Sequence, residues 1–367
     1  MKKYLELFKN GFDETINEKV QPEKWPYVGH DVVTGEIVYT IIPEPNWVTF
    51  TAEEDNSSVG LEKLSTNHIL KYSTNAYNWN VFDTSTNISL NNGDKIYIRG
   101  ILSANNTSSN YTQFKMSGKI AASGNCNAIW NYQDLNAPLK NYCGHHMFSY
   151  CTALTTAPEL PATTLATQCY NRMFSHCTSL TVAPELPATV LGESCYAYMF
   201  YRCESLTKAP ELPATELAVN CYASIFSYCT SLTTAPEILP ATVLADYCYS
   251  RMFWGCTSLT ITPKLPATEL AAYCYESMFC NCSSLMTAPE LPAAVLADYC
   301  YDHMFYGCTF LNHITCLATN ILASQCTWYW VDGVASTGTF VKHPDMKNWT
   351  TRASGIPSGW TVVNAEL

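Results

Sequence analysis

Cysteine asks for a chemical reading first, because the chain holds eighteen of them. One ladder runs Cys143, Cys169, Cys195, Cys221, Cys248, Cys274, Cys300 and Cys326, and a second runs Cys151, Cys177, Cys203, Cys229, Cys256, Cys282 and Cys308. Cys126, Cys280 and Cys316 lie outside both. A thiol set once per repeat in a fixed role reads as a small buried hydrophobe, and free thiols in a core fit a reducing compartment. Disulfides and metal sites are the competing readings. Metal is the weaker, since no Cys-x-x-Cys is partnered by histidines; Cys280-Asn281-Cys282 stands alone. The densest cluster, Cys143-Gly144-His145-His146, offers a nucleophile with a base, or a set of metal ligands. Its cysteine belongs to the first ladder, however, and its histidines occupy variable slots. No glycine-rich phosphate loop follows a strand, and no carboxylate pair stands apart from the repeat for acid–base work. The expectation is a non-enzymatic chain with no cofactor and no metal.

What positions these residues is a repeat. Met147-Phe148 recurs as Met173-Phe174, Met199-Phe200, Ile225-Phe226, Met252-Phe253, Met278-Phe279 and Met304-Phe305, with Trp330 in the next slot. Each step is 26 residues except the 27 into Met252, where Ile238 is added. A fixed period of this size predicts a solenoid, each unit burying its apolar face against its neighbours. Within one unit, Leu180 to Leu186 reads as a short parallel strand ended by Pro187. Cys195, Met199 and Cys203, at i, i+4 and i+8, read as one face of a helical segment that Phe200 broadens. The leucine slot at Leu139, Leu165, Leu191, Leu217, Leu244, Leu270, Leu296 and Leu322 is kept throughout. The fold class expected is therefore an α+β solenoid with repeats of about 26 residues.

Composition sets the outer bounds. With 367 residues, 47% of them hydrophobic, there is material for two or three domains. Twenty basic against 31 acidic side chains give a net charge of −11, which argues against nucleic acid. No apolar run approaches the roughly 18 residues of a membrane helix, so no membrane insertion is expected. The opening residues lack the apolar core of a signal peptide; the expectation is a chain that bypasses general export, or one whose leader is missing.

Four segments follow. Residues 1–45 form an N-terminal piece: Tyr4, Leu5, Phe8, Phe12 and Ile16 predict a helix over 3–19, and Glu36–Ile42 a strand. It reads either as an anchor or as a helix and strand tucked onto the next domain. Residues 46–121 predict a small antiparallel, sandwich-like β domain with strands at Trp47–Ala52, His68–Tyr72, Asn87–Leu90 and Lys95–Arg99. The loop Asn105–Asn110 is expected to be exposed. Residues 122–330 are the repeat array, and 331–367 a C-terminal cap, since coil ends must hide open core and strand edges.

The pattern Leu-Thr-x-x-Pro-x-Leu-Pro, then Leu, then Met-Phe-x-x-Cys-Thr-Ser-Leu resembles the BspA-type (treponemal) leucine-rich repeat over about residues 135–330. It departs in having Met where that family usually has Ala, and in a longer repeat. The resemblance implies a surface adhesion or recognition protein. Phe8-Lys-Asn-Gly-Phe-Asp and Pro26-Tyr27-Val28-Gly29 are similar to N-terminal segments of virion fibre proteins from tailed phages of gut Bacteroidales. That second likeness is short. It implies a protein on the virion surface, assembled in the host cytoplasm, that docks a virion structural protein through Phe8, Phe12, Trp25 and Tyr27. It implies a homo-oligomer too, a trimer if a fibre. The competing reading is a bacterial adhesin at the cell surface.

A repeat keeps its core and varies its exposed face. The residues after each Phe carry Tyr150, His176, Tyr201, Arg202, Tyr228, Trp254 and Tyr306, types enriched at binding hot spots and suited to sugar stacking. They read as the ligand face, for a bacterial surface glycan or protein, or as drift on a rim. The row Glu159, Glu185, Glu211, Glu237 and Glu290, with Lys264 inserted, reads as solvated charge or a cation row. The row Tyr170, Tyr196, Tyr222, Tyr249, Tyr275 and Tyr301 reads as packing with hydroxyls at the rim.

Overall fold

The computed structural model describes residues 27–30, 37–40, 46–347 and 349–366, and divides into two compact units, Met1–Asn46 and Trp47–Leu367. In the first, β1 (Tyr27–His30) pairs antiparallel with β2 (Ile37–Thr40), so the strand expected at 36–42 is half of a hairpin that Tyr27 opens. The helix expected over 3–19, and with it Phe8, Phe12 and Trp25, lies outside the described residues.

The second unit begins with β3 (Val48–Ala52), β4 (Ser57–Lys63), β5 (His68–Ser73), β6 (Asn80–Val81), β7 (Asn87–Leu90), β8 (Lys95–Leu102), β9 (Gln113–Ser117) and β10 (Ile120–Ser123). The four expected strands are present. The sequence did not announce β4, whose Ser-Ser-Val-Gly-Leu-Glu-Lys is poor in strand formers. Along β8 every second residue is buried, at Ile96, Ile98, Gly100 and Leu102, which is the period-two pattern of a sheet with one inner face. A three-stranded sheet, β7-β4-β9, faces a six-stranded one, β11-β10-β3-β8-β5-β6, where β11 is Leu154–Thr156. Their inner faces meet at Phe50 and Phe114, ring centroids 5.3 Å apart. The Asn105–Asn110 loop is exposed apart from Asn110, which is half-buried, and Asn106, which is buried and accepts the Ser65 hydroxyl at 2.7 Å.

β10 joins the two parts of this unit, pairing antiparallel with β3 and parallel with β11, the first strand of the repeats. Parallel bridges then link residues one repeat apart: Thr156 to Val182, Lys208 to Thr234, Thr234 to Ile261, and Thr287 to His313. The strand expected at Leu180–Leu186 shrinks to such single bridges. Prolines stand at 184 and 187, and again at 210 and 213; each removes an N–H that a continuous ladder needs. At the far end β12 (His313–Cys316), β13 (Thr339–Lys342) and β14 (Thr361–Asn364) restore a parallel sheet, so the tail carries the ladder onward.

The helical reading is corrected. Among the described residues the single α-helix is α1 (Asn127–Asn131), so the α+β class gives way to strands, bridges and turns. Between Gly192 and Cys203 the chain is a ribbon of overlapping turns. Cys195, Ala197, Met199, Tyr201 and Cys203 donate their N–H three residues back. The alternate residues Ser194, Tyr196, Tyr198, Phe200 and Arg202 donate to carbonyls of the next repeat, Val219 through Ser227. A helix would spend every N–H inside its own segment; the ribbon divides them between turn and neighbour. Ser194, Tyr198 and Arg202 hold φ of 54°, 57° and 59°, as the second central residue of a type II turn must. Two turns advance four residues, so Cys195, Met199 and Cys203 still face one way, fully buried. The period was real; its cause was a pair of turns.

Side chains stack through the array in register. Phe148 to Phe305 form a column with centroids 5.4–5.8 Å apart and interplanar angles of 11° or less. Phe114 of β9 continues it, 5.1 Å from Phe148. Tyr170 to Tyr301 form a second column that Trp330 closes. These tyrosines are at most 2% exposed, and the Tyr170 and Tyr222 hydroxyls are buried without a partner. The expected rim position is therefore wrong: the rings lie wholly inside. All eighteen cysteines are free and buried. In the second ladder Cys177, Cys203, Cys229, Cys256, Cys282 and Cys308 each donate S–H to the Phe carbonyl of the preceding repeat, at 3.0–3.2 Å.

Candidate recognition face

The turn ribbon builds the site, because most of its left-handed residues reach the surface, Tyr170, Ser224 and Ser277 being the buried ones. Tyr150, His176, Arg202 and Tyr228 occupy one such slot, with φ between 59° and 65°. L-residues enter this region at a steric cost, which a repeated ladder of inter-repeat bonds offsets. The residue before that slot points to the same side when it is large, as at Tyr201 and Trp254.

Five of the seven expected residues form one continuous row. Tyr150 stacks on His176 (4.4 Å, 15°) and His176 tilts against Tyr201 (5.4 Å). Tyr201 meets Tyr228 edge-on (5.7 Å), and Tyr228 leans on Trp254 (5.3 Å). The sixth, Arg202, lies over the Tyr228 ring at 5.1 Å and donates Nε–H to the Tyr201 hydroxyl at 3.5 Å. Tyr306 stands apart, because Cys280 and Asn281 fill the intervening repeat; it contacts His303 instead. Tyr150 is 62% exposed and Tyr306 38%, while His176, Tyr201, Tyr228 and Trp254 are half-buried. Gly255 makes the Tyr228–Trp254 contact possible. Its φ is +71°, and a Cβ there would lie 2.8 Å from Tyr228 Cδ1. The Trp254 Nε1–H is buried without an acceptor.

Two parallel outward columns escaped sequence reasoning. Tyr247, Tyr273 and Tyr299 stack at 4.5 Å and 7°. The other holds His146, Arg172, Tyr198, Arg251, His303 and Tyr329, and Arg172 lies over Tyr198 at 4.1 Å. For the tyrosines the signal was present as identical residues at repeat spacing, and for the second column as large polar or aromatic residues at that spacing, but nothing marked those slots as outward while the segment was read as a helix. In the same column Arg251 pairs with Glu276 of the next repeat at 3.1 Å, and Ser250 donates to the other carboxylate oxygen at 2.6 Å.

The cysteine–histidine cluster is pulled apart chemically. The Cys143 thiol is fully buried and its pKa stands well above the ordinary value, through burial and the neighbouring Cys169. Burial and the charges of Arg172 and Lys63 lower His146 to about 4, and burial with the same charges and His146 lowers His145 to about 3. A neutral histidine beside an un-ionised thiol gives no activated nucleophile. Among the described residues no group of three or more His, Cys, Asp or Glu is placed to hold a metal. The glutamate row is exposed, with Lys264 3.3 Å from Glu237 and the Glu237 N–H donated to Glu211, the geometry of solvated charge. A shallow groove lined by Val182, Glu185, Lys208 and Glu211 runs beside it.

The family model of the BspA type leucine rich repeat region matches residues 141–286 and 238–326, six copies that together span half of the chain. The chain belongs to the BspA-type leucine-rich-repeat family. The aromatic row therefore lies on BspA-type repeats throughout, from Tyr150 to Trp254. No curated protein and no solved structure matches the chain. Among the described residues no helix is long and apolar enough to cross a membrane.

Proposed function

We propose that this BspA-type repeat protein is a non-enzymatic adhesion protein, a solenoid fronted by a β-sandwich and closed by its C-terminal residues, that binds a bacterial surface glycan through its aromatic row. Family membership supports the surface or adhesion class. The observation that carries the ligand is the run Tyr150–His176–Tyr201–Tyr228–Trp254, with rings 4.4–5.7 Å apart. Aromatic faces stack on sugar rings and keep a polar edge for hydroxyls. A row of them offers several contacts to an extended polymer, and many copies on one particle raise avidity.

In the finer reading the chain is a fibre or decoration protein of a phage virion, docked through residues 1–45 and displayed as a homo-oligomer. The likeness of that segment to virion fibre proteins supports it. The bacterial cell-surface adhesin is the second reading, favoured by the family itself. Two binding measurements separate them. Full-length chain and a chain starting at Trp47 are mixed with purified phage particles; retention of the full-length chain alone is expected, and retention of neither leaves the adhesin. Binding to bacterial envelopes is then compared between the wild type and Tyr228→Ala/Trp254→Ala. Undiminished binding by the folded double variant would falsify the aromatic reading.

A further inference from the structure

The charges on this face are arranged against the balance of the protein. The chain carries a net charge of −11, yet Lys63 of β4 and Arg172 and Arg202 of the first repeats gather around histidines and tyrosines. Lys63 Nζ sits 4.0 Å over the Tyr111 ring, and Tyr111 stacks on His146. Arg172 lies on Tyr198, which meets Tyr201 edge-on at 5.8 Å, and Arg202 bonds that same Tyr201. Among the described residues neither arginine forms an ion pair. Glu204 acts on Arg202 electrostatically, without forming an ion pair among the described residues.

Comparison between repeats shows how unusual this is. Arg172 and Arg251 share one slot: each donates its N–H to the residue 25 positions on, Ala197 for Arg172 and Glu276 for Arg251. Arg251 is neutralised by that glutamate. Arg172 meets a methyl group where the carboxylate would be. Its guanidinium, five N–H donors in a planar fork, lies 4.1 Å over the Tyr198 ring on a half-exposed side chain, and such a fork reads carboxylate, sulfate or phosphate. His176 feels both arginines: burial with the Arg202 and Arg172 charges lowers its pKa against a smaller opposing effect of Glu204.

Resting on the adhesion reading above, we infer that the ligand is an anionic saccharide, its charged group seated on Arg172 and Arg202 and its rings stacked on Tyr150, Tyr228 and Trp254. A neutral glycan would offer the two guanidinium groups no charged acceptor. A bare anion would leave the aromatic row unused. Both parts of the face are engaged only by a ligand that carries charge on sugar rings.

The test is isothermal titration calorimetry of the full chain with oligogalacturonate, dextran sulfate, unsubstituted dextran and sodium sulfate. Binding of oligogalacturonate identifies a carboxylated ligand, and binding of dextran sulfate a sulfated one. With either, Arg172→Ala/Arg202→Ala is expected to lose at least about tenfold in affinity, the size of a lost charge-assisted contact. Arg172→Lys, which keeps the charge and loses the fork, should lose less. Lys264→Ala, remote from the face, should lose nothing, and added salt should weaken binding. Dextran binding as tightly as dextran sulfate overturns the inference and leaves the adhesion reading standing. So does equal loss in Lys264→Ala, which would mean diffuse attraction, and so does sulfate alone matching the polymers. If no polymer binds while envelopes still do, the anionic ligand is wrong. If envelopes fail as well, the adhesion reading goes with it.

Discussion

A buried hydroxyl with no partner is an unusual thing to repeat. Tyr222 is 1% exposed, stacks 5.6 Å from Tyr196 and leaves its O–H unbonded. An unsatisfied buried polar group costs about 1–3 kcal/mol. Tyr222→Phe is therefore expected to leave urea stability unchanged or raise it by about 1 kcal/mol; a clear loss would mean the hydroxyl is bonded. The thiols make a second case. Burial pushes Cys229 up to about 12, as it does Cys221 and Cys274, so the reactive thiolate is absent at neutral pH. Ellman's reagent at pH 8 should label almost none of the eighteen cysteines in the native protein and all of them in guanidinium; rapid native labelling of the ladders would contradict the packing. His68 gives the pH dependence. Its Nε2–H donates to the Ile129 carbonyl at 2.8 Å and its Nδ1 accepts the Thr112 hydroxyl at 2.8 Å, which fixes a neutral ring. Burial lowers its pKa from 6.5 to about 4. On acidification the unfolded chain takes up this proton first, so stability falls as pH drops from about 6.5 to about 4, by a total on the order of 3 kcal/mol. His145 and His146, lowered in the same direction, add to the same slope, so His68→Gln should reduce that part of a stability–pH curve without flattening it, and an unchanged slope would assign the loss elsewhere.

At the scale of elements, the turn ribbon explains why so many non-glycine residues accept positive φ. Each such residue is fixed by its own turn bond and by bonds from adjacent repeats, and local strain persists where the surroundings determine it this firmly. The proline pairs act in the other direction, restricting the parallel ladder to single bridges. Ile238 is the exception to the period. It is 38% exposed, and the next residue, Leu239, regains the core at 1%. Bonds run from the Leu239 N–H to the Lys264 carbonyl and from the Lys264 N–H to the Glu237 carbonyl, around the inserted residue. An extra residue of this kind is a local bulge. Deleting Ile238 should leave thermal stability within about 1 kcal/mol of the wild type; a collapse of the melting transition would show that the bulge sets the stacking.

Over the whole repeat array, contacts run between nearest neighbours, so stability should behave as a sum of repeats and interfaces. Excising residues 204–229 joins Cys203 to Thr230 and recreates the natural Cys229–Thr230 junction. The shortened protein is expected to fold cooperatively with a smaller urea m-value, in proportion to the surface lost. An unfolded product would show that the repeats depend on contacts beyond their neighbours. The ends differ in kind. At the front, β10 pairs with β11 and Phe114 with Phe148; at the back, Trp330 is covered by Trp349 at 5.6 Å and donates to the Gly355 carbonyl at 2.8 Å. Each end hides an aromatic column that a cut array would expose to water.

The sequence by itself determined the period, the family, the core ladders and six of the residues on the aromatic face, because a repeat writes its buried and its variable slots in plain alternation. Tyr306 was read from the same slot, yet it stands apart because Asn281 and Cys280 break the row. What the repeat did not write was the backbone between slots. Spacing of four is common to a helix face and to a pair of turns, and only hydrogen bonds reaching into the next repeat distinguish them. The tyrosine column went inside rather than to the rim for a related reason: the ribbon stacks whole rings, leaving no edge for the hydroxyls to reach. Arg172 became a candidate only in three dimensions, since its significance lies in what faces it. The difference between Ala197 and Glu276 is silent along the chain, and it decides which arginine is left free.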